Sequence, residues 1–234
     1  MRHSRRVGIF LFVACTGAVA AQVPLNKEPR HRVTFENAQL RILDVNIPAG
    51  DTSLDHLHDR DIATVSMTSG TNTRLQTRGQ WGPVRALRPL GDTTVAEYAG
   101  KPDSHRIENV GKTPYRLFAV ENLRASGWST ASPMAGRATK LTTESRAFRT
   151  YDVQLAAATG QTSHTHQVPT IVVLISGQVM SDGPDAQAKA NAPAPVGLKQ
   201  LDQPGQWLLI PGGDTHYVVR LGTDDARLVE IEVR

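Results

Sequence analysis

"SHTHQVPT" (163–170) sets His164 and His166 one residue apart, and "LDHLHDRD" (54–61) does the same with His56 and His58. Two such pairs draw on half of the eight histidines in the 234-residue chain, so their spacing calls for an explanation. On a β-strand, side chains at i and i+2 share a face, so each His-x-His pair aims two imidazoles the same way. The surrounding runs ("RVTF", "RILDVNI", "TIVVLI", "WLLI", "HYVV") are short and rich in β-branched residues. Gly, Pro, Asp and Asn punctuate them, which predicts many short strands.

The two pairs are copies of one another. A shift of 108 residues lays 32–47 on 140–155, matching Glu36 with Glu144, Arg41 with Arg149 and Asp44 with Asp152. The same ungapped shift places His56 on His164 and His58 on His166. Further along the shift becomes 111: His105 meets His216, and "RLFAVE" (116–121) meets "RLVEIE" (227–232). The chain is an internal duplication. Its units run over about 29–122 and 138–234, with a Ser/Thr/Ala/Gly-rich linker at 123–137. A second stretch, 181–197, is too rich in Ala and Pro to bury a core and predicts an exposed, mobile loop.

Six histidines thus form two equivalent sets: His56, His58 and His105, then His164, His166 and His216. His31 precedes the first unit. A single His-x-His pair reads equally well as a solvated pair or a satisfied polar pair in a core. Repetition of the whole triplet changes the weighting. A buried imidazole left without a partner costs about 1–3 kcal/mol, against a total stability of about 5–15 kcal/mol. A divalent transition ion (Fe, Mn, Zn, Cu or Ni) removes that cost. Three ligands would leave open positions for water or a small-molecule ligand.

The N-terminus has its own signature. "MRHSRR" is basic, "VGIFLFVAC" apolar and "AVAAQ" small, which predicts a signal peptide over 1–21 and an exported protein, periplasmic or secreted. Thr16 and Gly17 break the apolar run short of the roughly 18 residues of a membrane span. "FVAC" offers an alternative, a lipoprotein anchored through Cys15, although Phe12 stands where that box usually has Leu. Export removes Arg2, Arg5 and Arg6, so the formal charge of +4 falls to about +1 and nucleic acid is not an expected partner. Cys15, the sole cysteine, leaves as well, and no disulfide or thiol nucleophile remains. No G-x-S-x-G elbow, phosphate loop or dinucleotide fingerprint is present.

The motifs resemble those of the cupin family, in its two-domain bicupin form. "GDTSLDHLHDRDIATVSMTSG" (50–70) is similar to the first cupin motif at Gly50, His56, His58 and Gly70. "GQWLLIPGGDTH" (205–216) is similar to the second at Gly205, Pro211, Gly213 and His216. "HRIEN" (105–109) and "TSHTHQVPTIVVLISG" (162–177) supply the complementary motifs. The resemblance implies an all-β fold of two tandem cupin-type β-barrels (double-stranded β-helix, or jelly roll), and a homodimer as one oligomeric state. It also implies a glutamate ligand at positions that here hold Ala63 and Thr170. Asp59 and Asp61 lie nearby at the wrong spacing, and the second unit shows no carboxylate close by. A three-histidine cupin without glutamate is similar to the family's iron dioxygenases. Two functions follow: a metal-dependent, dioxygenase-like oxidoreductase, or a non-catalytic bicupin that binds a small ligand around a structural metal.

The second unit is expected to hold the better site, because the first has Gly100 and Pro102 where the second motif expects Pro and Gly. Arg220 stands where the first unit keeps Asn109. Strand alternation from His216 gives Arg220 two readings: a substrate-binding residue that clamps an anion, or a surface residue beside the "GTDD" turn.

Overall fold

The computed structural model describes residues 22–69, 71–86, 88–124, 129–134, 139–156, 164–184 and 196–234. The expected leader with Cys15, Gly70, linker residues 125–128 and 135–138, and loop residues 185–195 lie outside the described residues. The first unit contributes β1 (Val23–Pro24), β2 (His31–Glu36), β3 (Leu40–Ile47), β4 (His56–His58), β5 (Ile62–Ser66), β6 (Asn72–Thr77), β7 (Gln80–Trp81), β8 (Arg85–Ala86), β9 (Thr93–Ala96), β10 (Asp103–Asn109) and β11 (Tyr115–Asn122). The second contributes β12 (Thr139–Glu144), β13 (Phe148–Leu155), β14 (His164–Thr165), β15 (Thr170–Ser176), β16 (Val179–Pro184), β17 (Val196–Leu201), β18 (Trp207–Ile210), β19 (Thr215–His216), β20 (Val218–Arg220) and β21 (Ala226–Val233). Among the described residues no α-helix occurs, and none is long and apolar enough to cross a membrane.

The duplication is visible in the hydrogen-bond register. The two large sheets run β2-β3-β11-β5-β9 and β12-β13-β21-β15-β18, the same order in both units. Each has a bulge at the equivalent place, between Val33 and Phe35 and between Leu141 and Thr143. His56 pairs with His105 across β4 and β10, and His164 pairs with His216 across β14 and β19. Each unit closes a barrel of the jelly-roll type, as its motifs imply.

Strand alternation divides the core into three parts. Leu43, Val45, Ile47 and Ala119 fill the first barrel, while Val153, Val172, Leu174 and Leu228 fill the second. The outward residues of the same sheets, including Ile42, Val65 and Phe118 from one and Phe148, Ile171 and Ile231 from the other, form a shared core between the barrels. At roughly 25 cal/mol per Å² of apolar surface buried, this seam stabilises both barrels together. Arg116 with Asp44 (2.9 Å) and Arg227 with Asp152 (2.7 Å) repeat one ion pair in the two units.

Two expectations change at the margins. The stretch 181–197 is not irregular at its ends. Residues 181–184 complete β16 and 196–197 begin β17, and backbone pairing continues to Pro184↔Val196. Backbone hydrogen bonds, indifferent to side-chain composition, hold that hairpin. The first barrel also begins before residue 29: β1 pairs in parallel with β4, Val23 opposite His56, and Leu25 is buried in the barrel core.

Candidate metal centres

In the second barrel the β14–β19 pairing sets His164 beside His216, and His166 follows two residues later on the same face. Nε2 of His166 lies 3.1 Å from Nε2 of His164 and 3.1 Å from Nε2 of His216. Glu230 of β21 completes the group, its Oε2 3.5 Å from His164 Nε2 and 3.4 Å from His166 Nε2. All four ligand atoms fall within 4.8 Å of one another. Glu230 is fully buried, and among the described residues neither of its oxygens makes a hydrogen bond. Burying a carboxylate this way costs several kcal/mol unless a cation meets it.

The local electrostatics follow from that carboxylate. Burial opposes the charge on Glu230, but His164 and His166 outweigh it and hold the group below the ordinary carboxylate range. Burial likewise opposes a charge on His166, yet Glu230 and Glu232 push it up to about 9. Behind His166, Nδ1–H donates to Glu232 Oε1 (3.0 Å). The other Glu232 oxygen accepts from the Tyr151 hydroxyl (3.0 Å) and lies 3.6 Å from Arg149 Nη1. This support fixes the ring and aims Nε2 at the centre of the group.

The first barrel gathers His56, His58 and His105 within the same 4.8 Å span. His56 Nδ1–H donates to the Leu54 carbonyl (2.9 Å), which leaves Nε2 facing inward. That Nε2 and both nitrogens of His58 are buried without a hydrogen-bond partner. Among the described residues no carboxylate joins this group, and the β11 residue in register with Glu230 is Ala119. Burial, reinforced by neighbouring histidines, therefore lowers His56 to about 3 and His58 to about 2, and burial also lowers His105. His31 adds a fourth imidazole at the edge. Its ring lies 4.5 Å from that of His56, and its Nδ1–H donates to Glu28 (2.5 Å).

Several solved structures share this architecture at low sequence identity. AerE from Microcystis aeruginosa superposes with a TM-score of 0.59 at 15% identity, covering 88% of this chain and 98% of that one. A cupin 2 conserved barrel domain protein from Leptotrichia buccalis gives 0.51 at 8%, covering 87% and 88%. The fold is that of a bicupin. A salicylate 1,2-dioxygenase from Pseudaminobacter salicylatoxidans shares it, with a TM-score of 0.60 at 9% identity over 88% of this chain and 77% of that one. The sequence matches no protein-family model, and no curated protein matches it.

The chain departs from the motif pattern at the expected glutamate position. The strand slot for glutamate that faces the second barrel holds Thr170, whose hydroxyl donates to the Val168 carbonyl (3.1 Å). In the first barrel the inward residue is Ile62, while Ala63 faces the seam. The second site nevertheless has its carboxylate, contrary to the expectation that none lies near. It comes from the neighbouring strand, where Glu230 pairs with Val172. A signal for it exists in "RLVEIE": Glu230 and Glu232 alternate with buried Val229 and Ile231 on a strand buried on both faces. Asp59 and Asp61 take no part in either group. Asp61 accepts from the Ala99 backbone (2.8 Å) and meets Arg146 of the other barrel (3.3 Å).

Arg220 lies beside the "GTDD" turn. Its Nη1 donates to the carbonyls of Gly222 (2.6 Å) and Asp224 (3.0 Å). Its counterpart Asn109 donates from Nδ2 to the carbonyl of Thr113 (2.8 Å), the residue equivalent to Asp224. The arginine closes the same turn through Nη1, the placement expected of a residue beside the "GTDD" turn.

Proposed function

We propose that the second barrel holds a divalent transition ion through Nε2 of His164, His166 and His216 and the Glu230 carboxylate. With it, the protein acts as a dioxygenase-like oxidoreductase on a small polar or anionic chelating substrate. The observation that carries this reading is the buried Glu230 carboxylate, which makes no hydrogen bond among the described residues and is aimed at three converging imidazoles. Mixed imidazole and carboxylate donors suit Fe or Mn among the transition ions. A bound ion supplies Lewis acidity and a template for a chelating ligand. The chain's own residues do the rest. Glu232 orients the His166 ring, and Tyr151 and Arg149 brace Glu232. Binding of an ion at Nε2 of His166 would require that nitrogen to be deprotonated, so loading would release a proton and favour higher pH. The shared fold of the salicylate 1,2-dioxygenase supports the reaction class by analogy.

One observation favours a second reading, a non-catalytic bicupin with a structural ion: four protein ligands are enough to close a tetrahedral site. The two are separated by metal content followed by water relaxation. The purified protein should carry about one Fe or Mn per chain, and the Mn(II)-loaded form should enhance water-proton relaxation, then lose that enhancement when a chelating carboxylate is added. A loaded site that leaves water relaxation unchanged would establish the structural reading. The absence of any bound transition ion would sink both. Export is proposed through residues 1–21, and intact-mass analysis of the extracytoplasmic protein should find a chain that begins near Gln22.

A further inference from the structure

The first barrel contains a cavity of about 150 Å³ that neither histidine group lines. Its walls include Thr64, Ser66, Thr73 and Tyr115, and Arg85 and Arg88 stand among them. The duplication supplies an internal control. Thr64, Ser66 and Tyr115 correspond in register to Val172, Leu174 and Ala226 of the second barrel, all buried in its apolar core. The fold therefore does not require polar groups at these positions, and hydroxyls placed inside a barrel are costly unless they are partnered. Thr64 and Thr94 satisfy each other (2.6 Å), and Ser66 donates to the Thr68 carbonyl (3.0 Å). Tyr115 is half-buried and lines the cavity. Burial pushes that phenol up to about 12 against the opposing charge of Arg88, so it is a proton donor at neutral pH. Arg88 is about half exposed and lies 3.9 Å from Asp92, beyond hydrogen-bond distance. Two guanidiniums and one carboxylate leave the lining with an excess of positive charge.

We propose that this cavity binds a small carboxylate monoanion, with the Tyr115 hydroxyl and the Arg88 guanidinium donating to its oxygens and Thr73 facing its polar substituents. An apolar cavity of similar volume accommodates benzene, so the ligand has about four to nine heavy atoms. The site is separate from the histidine groups and needs no metal.

The test is calorimetric titration of the full chain after treatment with a chelator, so that its outcome is independent of any bound ion. Butyrate, 3-hydroxybutyrate and benzoate are the anionic probes, butyramide is the neutral control, and inorganic phosphate is the competing oxyanion. At least one carboxylate should bind tenfold or more tightly than butyramide or phosphate. Tyr115→Phe and Arg88→Gln should each weaken it about tenfold, the loss of one charge-assisted hydrogen bond. The double variant Thr64→Val, Ser66→Leu installs residues that the second barrel already accommodates and should abolish binding while the chain stays folded. Carboxylate affinity unchanged in these variants, preference for phosphate, or no carboxylate binding up to about 10 mM would overturn the proposal.

Discussion

The two large sheets share strand order and bulge position, and the barrels share histidine register and a repeated Arg–Asp ion pair, yet the residues facing the histidines differ. In the second barrel Glu230 faces Val172, and in the first Ala119 faces Thr64. The polar group has changed strands. With Glu230 and Glu232 beside it, His166 is pushed up to about 9, whereas His58, with no hydrogen-bond partner on either ring nitrogen among the described residues, falls to about 2. A histidine triplet alone therefore does not define the electrostatics of such a site. The carboxylates facing it from the last strand do.

The comparison breaks most easily at the ligands. Replacing His164 and His166 with Ala should remove about one bound ion per chain, whereas replacing His56 and His58 should remove a smaller fraction. Metal analysis after dialysis checks this, and the reverse ranking would place the principal site in the first barrel. The exchange of the single distinguishing residue is sharper. Glu230→Ala should weaken Mn(II) affinity by at least the 10–100-fold typical of losing a supporting carboxylate. Ala119→Glu should raise that of the first barrel. If Ala119→Glu leaves affinity unchanged, something besides the carboxylate separates the two groups.

In the metal-free protein, pH should loosen the barrels from opposite sides. His58 titrates near 2 when folded and near 6.5 when unfolded, so its contribution is present above about 6.5 and lost as pH falls toward 2. His166 titrates near 9 when folded, so its contribution is present below about 6.5 and lost as pH rises through 9. Hydrogen exchange, corrected for intrinsic rates, should show residues 56–66 losing protection at pH 5 and residues 164–176 losing it at pH 9. Parallel behaviour of the two segments would refute the assignment of charge. The smallest effect is expected at Arg220. Arg220→Asn restores the side chain that closes the equivalent turn, so stability should change by no more than about 1 kcal/mol, with metal content unchanged. A large loss of metal would mean that Arg220 reaches the centre after all.

Much of this was legible from spacing. The His-x-His pairs, the 108-residue shift and the alternation of the flanking runs together imply two β-barrels with equivalent imidazole clusters, and strand pairing brings those six side chains together. Glu230 was hidden because a motif constrains residues along one strand, whereas this carboxylate arrives through inter-strand register. Only the β15–β21 pairing reveals that Glu230 faces the barrel beside Thr170 and Val172. Arg220 was left with two readings for a related reason. Alternation points its side chain inward, but a long side chain can turn back to nearby carbonyls, and those of Gly222 and Asp224 capture it. The polar cavity was unreadable in the first unit alone, where Thr64 and Ser66 are ordinary strand residues. It stands out only against the Val172 and Leu174 that replace them.

The seam between the barrels carries a final consequence. The same face of the same sheet from each unit meets there, as at the interface of a two-fold symmetric dimer. Two separate copies of one barrel would be bound to carry identical residues at both centres, so a substitution that improved one would alter the other as well. Joining the halves in a single chain lifts that requirement while holding them at high effective concentration. Each barrel can then accumulate its own substitutions against a fixed partner. Symmetry here survives in the backbone and has been relinquished by the side chains.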